Sequence, residues 1–111
     1  MKMLLLLLFL SSTASIAPAA PVEMDLHKGC VNSSLRYLKG SITNNTNRTL
    51  HVQLSYVGVN SQGEQLPGTE VLIYPVIAPH RKARIYEVCL FGSCDTIKDF
   101  ILVEDNTWIE N

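Results

Sequence analysis

The chain has 111 residues, with nine basic and ten acidic side chains, a formal net charge of −1, and 47% apolar against 17% charged residues. That balance excludes a disordered polyelectrolyte and gives no electrostatic footprint for nucleic acid. The length holds one domain, and a domain of about 90 residues buries only roughly 60–68% of the surface its unfolded chain exposes, so its core is thin and a disulfide helps.

Met1-Lys2-Met3 is a short basic start, Leu4 to Leu10 is an unbroken apolar run, and Ala17-Pro18-Ala19 sets small residues at the −3 and −1 positions of a cleavage site. Residues 1–19 therefore read as a signal peptide and 20–111 as a single exported domain, secreted or periplasmic. The apolar run is far below the ~20 residues a membrane-spanning helix requires, and no later segment approaches that length, so no transmembrane segment is expected. Asn32, Asn44 and Asn47 each open an N-x-S/T triplet, a glycosylation acceptor in a eukaryotic secretory pathway. The short signal with its Ala-x-Ala end fits a bacterial envelope better.

Val22, Met24 and Leu26 alternate with Glu23, Asp25 and His27, the period of a strand with one wet face. Lys28-Gly29 and Asn32-Ser33-Ser34 are turn chemistry. Leu38, Gly40 and Ile42 share one parity in a second strand, which ends in the polar run Thr43 to Arg48. Leu50, Val52, Leu54 and Tyr56 alternate with His51, Gln53 and Ser55 and predict a third, closed by the turn Asn60 to Gly63. Val71 to Tyr74 is rich in strand formers, but Pro75 lacks a ladder donor, so this strand lies at an edge or breaks there. Ala83 to Leu90 is apolar on both parities, which implies a bulge near Ile85 or cover on both faces. Ile97 to Val103 forms the last strand. No window of the exported chain carries a helical repeat.

Six to seven short strands in this length match an immunoglobulin-like antiparallel β-sandwich, in which alternate side chains of two sheets meet. A small open barrel is the alternative. Within the stretch Leu38 to Val88, Gly40-Ser41-Ile42-Thr43-Asn44 stands where the bacterial FxLYD domain carries a G-x-V-x-N strand. Val52 and Leu54 stand for its paired valines, Tyr56 to Asn60 for F-x-L-Y-D, and Ile77-Ala78-Pro79 with Ile85 for its L-x-P-G segment and the apolar residue after it. Gly58, Val59, Asn60 and His80 depart from that pattern. The resemblance implies an Ig-like, extracytoplasmic accessory module with no catalytic residues.

Cys30, Cys89 and Cys94 give one pair and one leftover in an oxidising compartment. Cys89 and Cys94 flank a short connection between consecutive strands, where facing residues reach the ~5.5–6 Å Cα separation of a disulfide, and this is the expected pair. Cys30 with Cys89 is the alternative, by analogy with the inter-sheet bridge of antibody domains. His27-x2-Cys30 with Cys89-x4-Cys94 would instead supply a Cys3His set for zinc, although exported thiols usually oxidise.

Catalytic constellations are missing from the pattern. His27, His51 and His80 fall on wet parities or in a turn, and Ser55 lies too far along the strand from His51 to form a dyad. There is no G-x-S-x-G elbow, and the adjacent Glu104 and Asp105 point to opposite faces of a strand. Neither enzyme activity nor a cofactor is expected. The one basic cluster, Arg81, Lys82 and Arg84 after His80, suits an acidic glycan or lipid headgroup, and Tyr74, Tyr86 and Trp108 are candidates for a recognition patch. No aromatic platform interleaves with the basic cluster, which argues against single-stranded nucleic acid. The expected function is a non-enzymatic binding or structural module that meets a protein or an envelope polymer through a sheet edge or loops. A second reading is an inhibitor of an exported hydrolase, with a disulfide-stiffened 89–94 hairpin presenting Phe91 to a cleft.

Overall fold

The computed structural model describes residues 20–32, 35–90 and 94–111, and residues 1–19, read as a signal peptide, and Phe91 lie outside them. The fold is all-β and antiparallel. Its strands are β1 (Val22–Asn32), β2 (Leu35–Asn44), β3 (Leu50–His51), β4 (Leu54–Val59), β5 (Val71–Ile73), β6 (Val76–Ile77), β7 (Lys82–Leu90), β8 (Asp99–Asp105) and β9 (Trp108–Ile109). They form three sheets, ordered β1-β2-β7, β6-β3-β9 and β5-β4-β8.

Among the described residues nine strands appear where six to seven were expected: the Leu50–Tyr56 run is cut into β3 and β4, the strand from Val71 stops before Pro75 and resumes as β6, and β9 lies beyond the expected last strand. Pro75 has no N–H, and its carbonyl accepts instead from Val52 N at 3.0 Å, which interrupts β5–β6 and β3–β4 at the same level. On the other side Asn106 N donates to Gln53 O at 2.8 Å while Thr107 N turns back to Asp105 Oδ1 at 3.0 Å. The two small sheets thus run on into each other.

One core cluster draws on all three sheets. Leu38, Ile42, Ile85 and Cys89 enter it from β2 and β7, and Leu50, Leu54, Val71, Ile73, Ile77 and Phe100 from the other two sheets. Even-numbered residues of β2 therefore face inward and odd-numbered ones outward, the period-two consequence of the pleat. Two local readings are corrected. Lys28-Gly29 is not a turn: β1 continues through it, since Gly29 leaves the space that the Tyr37 ring occupies, and a Cβ there would lie 2.1 Å from that ring. Nor does β7 bulge or have both faces covered; its register with β2 is unbroken, and Tyr86, Val88 and Leu90 stay exposed on its outer side.

At the end of β2, Asn44 is fully buried and satisfies a junction of loops. Its Nδ2 donates toward the carbonyls of Arg48, Ile77 and Ala78 at 2.7, 2.9 and 3.1 Å, and its Oδ1 accepts from Thr46 N and Oγ1. The atom a glycan would need is committed inside the fold, which removes Asn44 from the glycosylation candidates. Gly40 is required for a different reason: at φ +149° an added Cβ would meet Asp25 O at 1.8 Å.

The disulfide joins Cys30 to Cys94, with Cα atoms 6.0 Å apart, and not Cys89 to Cys94. The cause is topological. β7 pairs with β2 whereas β8 pairs with β4, so the chain between them is a crossing from one sheet to another and not a hairpin. Cys89 points into the core and stays a buried free thiol. Arg36, beside it on β2, donates from its guanidinium to Ile97 O and ties the crossing segment down from within.

Asn44→Ala leaves three carbonyls short of a donor and is expected to cost roughly 2–4 kcal/mol, read as a shift in the denaturation midpoint at constant m. Cys30→Ser opens a link across 64 residues and is expected to cost about 4 kcal/mol in the chain-entropy account, with non-reducing peptide mapping of the parent showing the 30–94 pair. Burial pushes the Cys89 thiol above its ordinary value of 9.0. The unfolded chain then ionises first, so stability is expected to fall as pH rises past about 9, less steeply in Cys89→Ala.

Candidate functional site

The chemistry-bearing side chains lie on two outward faces. The first is the outer side of the paired small sheets. Register sets Val76, His51 and Trp108 in one row and Leu72, Ser55 and Glu104 in another, with Tyr74, Gln53 and Asn106 at the interruptions between them. A shallow groove of about 310 Å³ runs there, lined by Gln53, Ser55, Leu72, Tyr74, Glu104 and Asn106. Tyr74 is 71% exposed, Val76 63%, Leu72 55% and Trp108 49%, more apolar surface than a lone surface residue would show.

Trp108 is held in place. Its ring stacks on His51 with centroids 3.9 Å apart and planes 2° from parallel, and His51 Nε2 lies 2.6 Å from Glu110 Oε2. The indole thus has one side packed and the rest open to solvent, and the imidazole is engaged with Glu110 and not with Ser55. Gln53 and Asn106 line the groove with Tyr74, and Asn106 Nδ2 donates to Glu104 Oε2 at 3.0 Å. Such a surface can stack on a ring or apolar group and hydrogen-bond beside it.

The second face is the outer side of β1-β2-β7. Its rows read Glu23–Thr43–Lys82, Asp25–Ser41–Arg84, His27–Lys39–Tyr86 and Gly29–Tyr37–Val88. Tyr37 and Tyr86 form a tilted ring pair with centroids 5.6 Å apart, and Lys39 Nζ lies 5.8 Å from the Tyr37 centroid. Of the sequence-predicted basic cluster, Lys82 and Arg84 share this face, while Arg81 sits in the preceding turn and accepts from Asn44 N at 2.8 Å. His80, in the same turn, has φ 57°, a left-handed conformation that favours glycine, at the position where the FxLYD pattern carries one. Its Nε2 contacts Asn47 Oδ1 at 2.7 Å.

Tyr74, Tyr86 and Trp108 do not form one patch: Tyr74 and Trp108 lie on the first face and Tyr86 on the second. On this face Tyr86 lies one row from Arg84 and two rows from Lys82, an aromatic neighbour the sequence reading did not set with the basic cluster. Tyr37 and Lys39 escaped it altogether, although their shared odd parity on β2 was the available signal. Cys30 and Cys94 are consumed in the disulfide, so the zinc set loses two of its four ligands. Among the described residues no group of three or more His, Cys, Asp or Glu is arranged to hold a metal ion. The 89–94 hairpin of the inhibitor reading is replaced by the crossing segment. No protein-family model, no curated protein and no solved structure matches this chain.

Trp108 is the sole tryptophan, so its fluorescence reports on the first face. His51→Ala is expected to shift the emission to longer wavelength and to destabilise the C-terminal edge by about 1 kcal/mol through lost stacking and hydrogen bonding, measured by emission spectra and hydrogen exchange of β9.

Proposed function

We propose that this chain is a non-enzymatic, exported binding module that holds an envelope polymer on its first outer face. The observation that carries the reading is an open groove lined by Tyr74 and the amide-bearing Gln53 and Asn106, with the exposed ring of Trp108 two residues beyond Asn106. The strands that bear the two rings are two inter-strand steps apart, about 10 Å, the reach of a short oligosaccharide laid across the sheet. Ring faces stack on the apolar sides of sugars, and amides supply the directional hydrogen bonds. The disulfide fits an oxidising compartment. Among the described residues no helix is long and apolar enough to cross a membrane. The FxLYD resemblance points to the same kind of extracytoplasmic accessory role.

A second reading is supported by the apolar stripe Leu72, Tyr74 and Val76, which follows one edge of the sheet and suits a protein partner.

The test is co-sedimentation with insoluble envelope polysaccharide, followed by Trp108 fluorescence titration with soluble fragments. Trp108→Ala and Tyr74→Ala are each expected to weaken retention at least tenfold, the cost of about 1.4 kcal/mol expected for an aromatic anchor. Retention that ignores both substitutions sinks the polymer reading. A protein captured by photo-crosslinking from position 74, and lost in Leu72→Asp, would favour the second.

A further inference from the structure

The outer face of β1-β2-β7 carries a charge pattern that the fold itself leaves unused. Glu23 and Asp25 form an acidic column on β1, and Lys82 and Arg84 a basic column on β7, with Thr43 and Ser41 of β2 between them row by row. Each acid is therefore two strands, about 10 Å, from the base in its own row, beyond ion-pair reach. Among the described residues the ion pairs are Lys28–Asp99 and His51–Glu110, and none of these four charges takes part in one. Farther along the same face lie the exposed apolar groups Tyr86, Val88 and Leu90.

We propose that two copies of this chain associate face to face through this surface, about a two-fold axis that runs along β2. Such an axis keeps each row at its own level and exchanges left for right, so it lays β1 of one copy over β7 of the other. Glu23 then meets Lys82 of the second copy and Asp25 meets its Arg84, and each pair occurs twice, as an isologous interface demands. His27 falls opposite Tyr86, and the bare Gly29 opposite Val88, in the same operation. Aligned sheet packing of this kind is a standard way to cover an exposed face.

A polyanion laid on the surface would gain Lys82 and Arg84 but would run against Glu23 and Asp25, and would leave Val88 and Leu90 uncovered. A second copy satisfies both columns and covers the apolar end. Three strands about nine residues long give a footprint of roughly 14 by 30 Å, below the ~800 Å² per partner of a standard interface. The dimer is accordingly weak and salt-sensitive. Its least favourable contact is Lys39, which the axis brings beside its own copy.

Sedimentation equilibrium of the purified protein over a concentration series tests this. The unaltered chain is expected to show a monomer–dimer equilibrium that weakens as salt is raised from low to physiological and beyond. E23K/D25R and K82E/R84D are each expected to weaken self-association at least tenfold. An equimolar mixture of those two variants is expected to associate again, because each supplies the charge the other lost, and this rescue also shows that both are folded. Lys39→Gln is expected to tighten the dimer. A chain that stays monomeric at high concentration and low salt overturns the proposal, as does association that ignores both charge reversals or a mixture that shows no rescue. A monomer that binds a sulfated polysaccharide through Lys82 and Arg84 would assign the face to a polyanion instead.

Discussion

The arrangement turns on one crossing. After β7 the chain leaves the sheet it has just completed and enters β8, a strand of another sheet, and the Cys30–Cys94 bond fixes that passage to the far end of β1. A hairpin at this point would have added β8 to the edge of β7 and left β4 without its partner. Instead, Ile97 from the crossing segment is fully buried, and Gly58 is kept bare where an added Cβ would lie 3.1–3.2 Å from Thr69 and Ile97. The small core has few apolar groups to spend on holding its layers together, so a covalent tie across 64 residues acts where burial alone is thinnest.

β2 is the second organising element, because it is the middle strand of its sheet and touches both halves of the fold. Its inward residues Leu38 and Ile42 join the core, and its last residue, Asn44, binds the loops after β2 and β6 into one junction. A buried amide with every polar atom engaged specifies one arrangement of those loops more sharply than an apolar residue of the same volume would. The same strand sets the outer face, since Tyr37 needs Gly29 on its neighbour and Tyr86 on the other side to lie flat across the sheet.

The parts legible in the sequence were those fixed by local alternation. Leu50, Val52 and Leu54 read as one buried parity and all three are buried, and Pro75 was marked as a point where its strand lies at an edge or breaks, and both hold: β5 and β6 are edge strands with Pro75 between them. Cysteine pairing was not legible, because it depends on which sheet the last long strand joins, a choice made by contacts far apart in the chain. β1 ran on through Lys28-Gly29 because a long-range ring contact overrides the local turn preference of glycine. The site followed the same division. Alternation puts Glu23 and Asp25 on the wet face of β1, but the run from Ala83 is apolar on both parities, so only register shows that Lys82 and Arg84 form a column parallel to the acidic one, two strands apart and level with it.

The two outer faces have different physical characters, and in the proposals above they do different work. One bears aromatic and amide side chains, with Glu104 on the groove and Glu110 engaged with His51, and is suited to a ligand whose groups are hydroxyls and ring faces. The other is self-complementary in charge and bare of internal ion pairs, suited to another copy of itself. Covering the charged face by dimerisation turns the two grooved faces outward on opposite sides. A polymer with repeated units then meets two sites on one particle, and the second contact forms at the effective concentration set by the first. A weak interface and a shallow groove, each marginal alone, become a useful pair when the ligand is repetitive, since avidity multiplies affinities that neither surface needs to supply by itself.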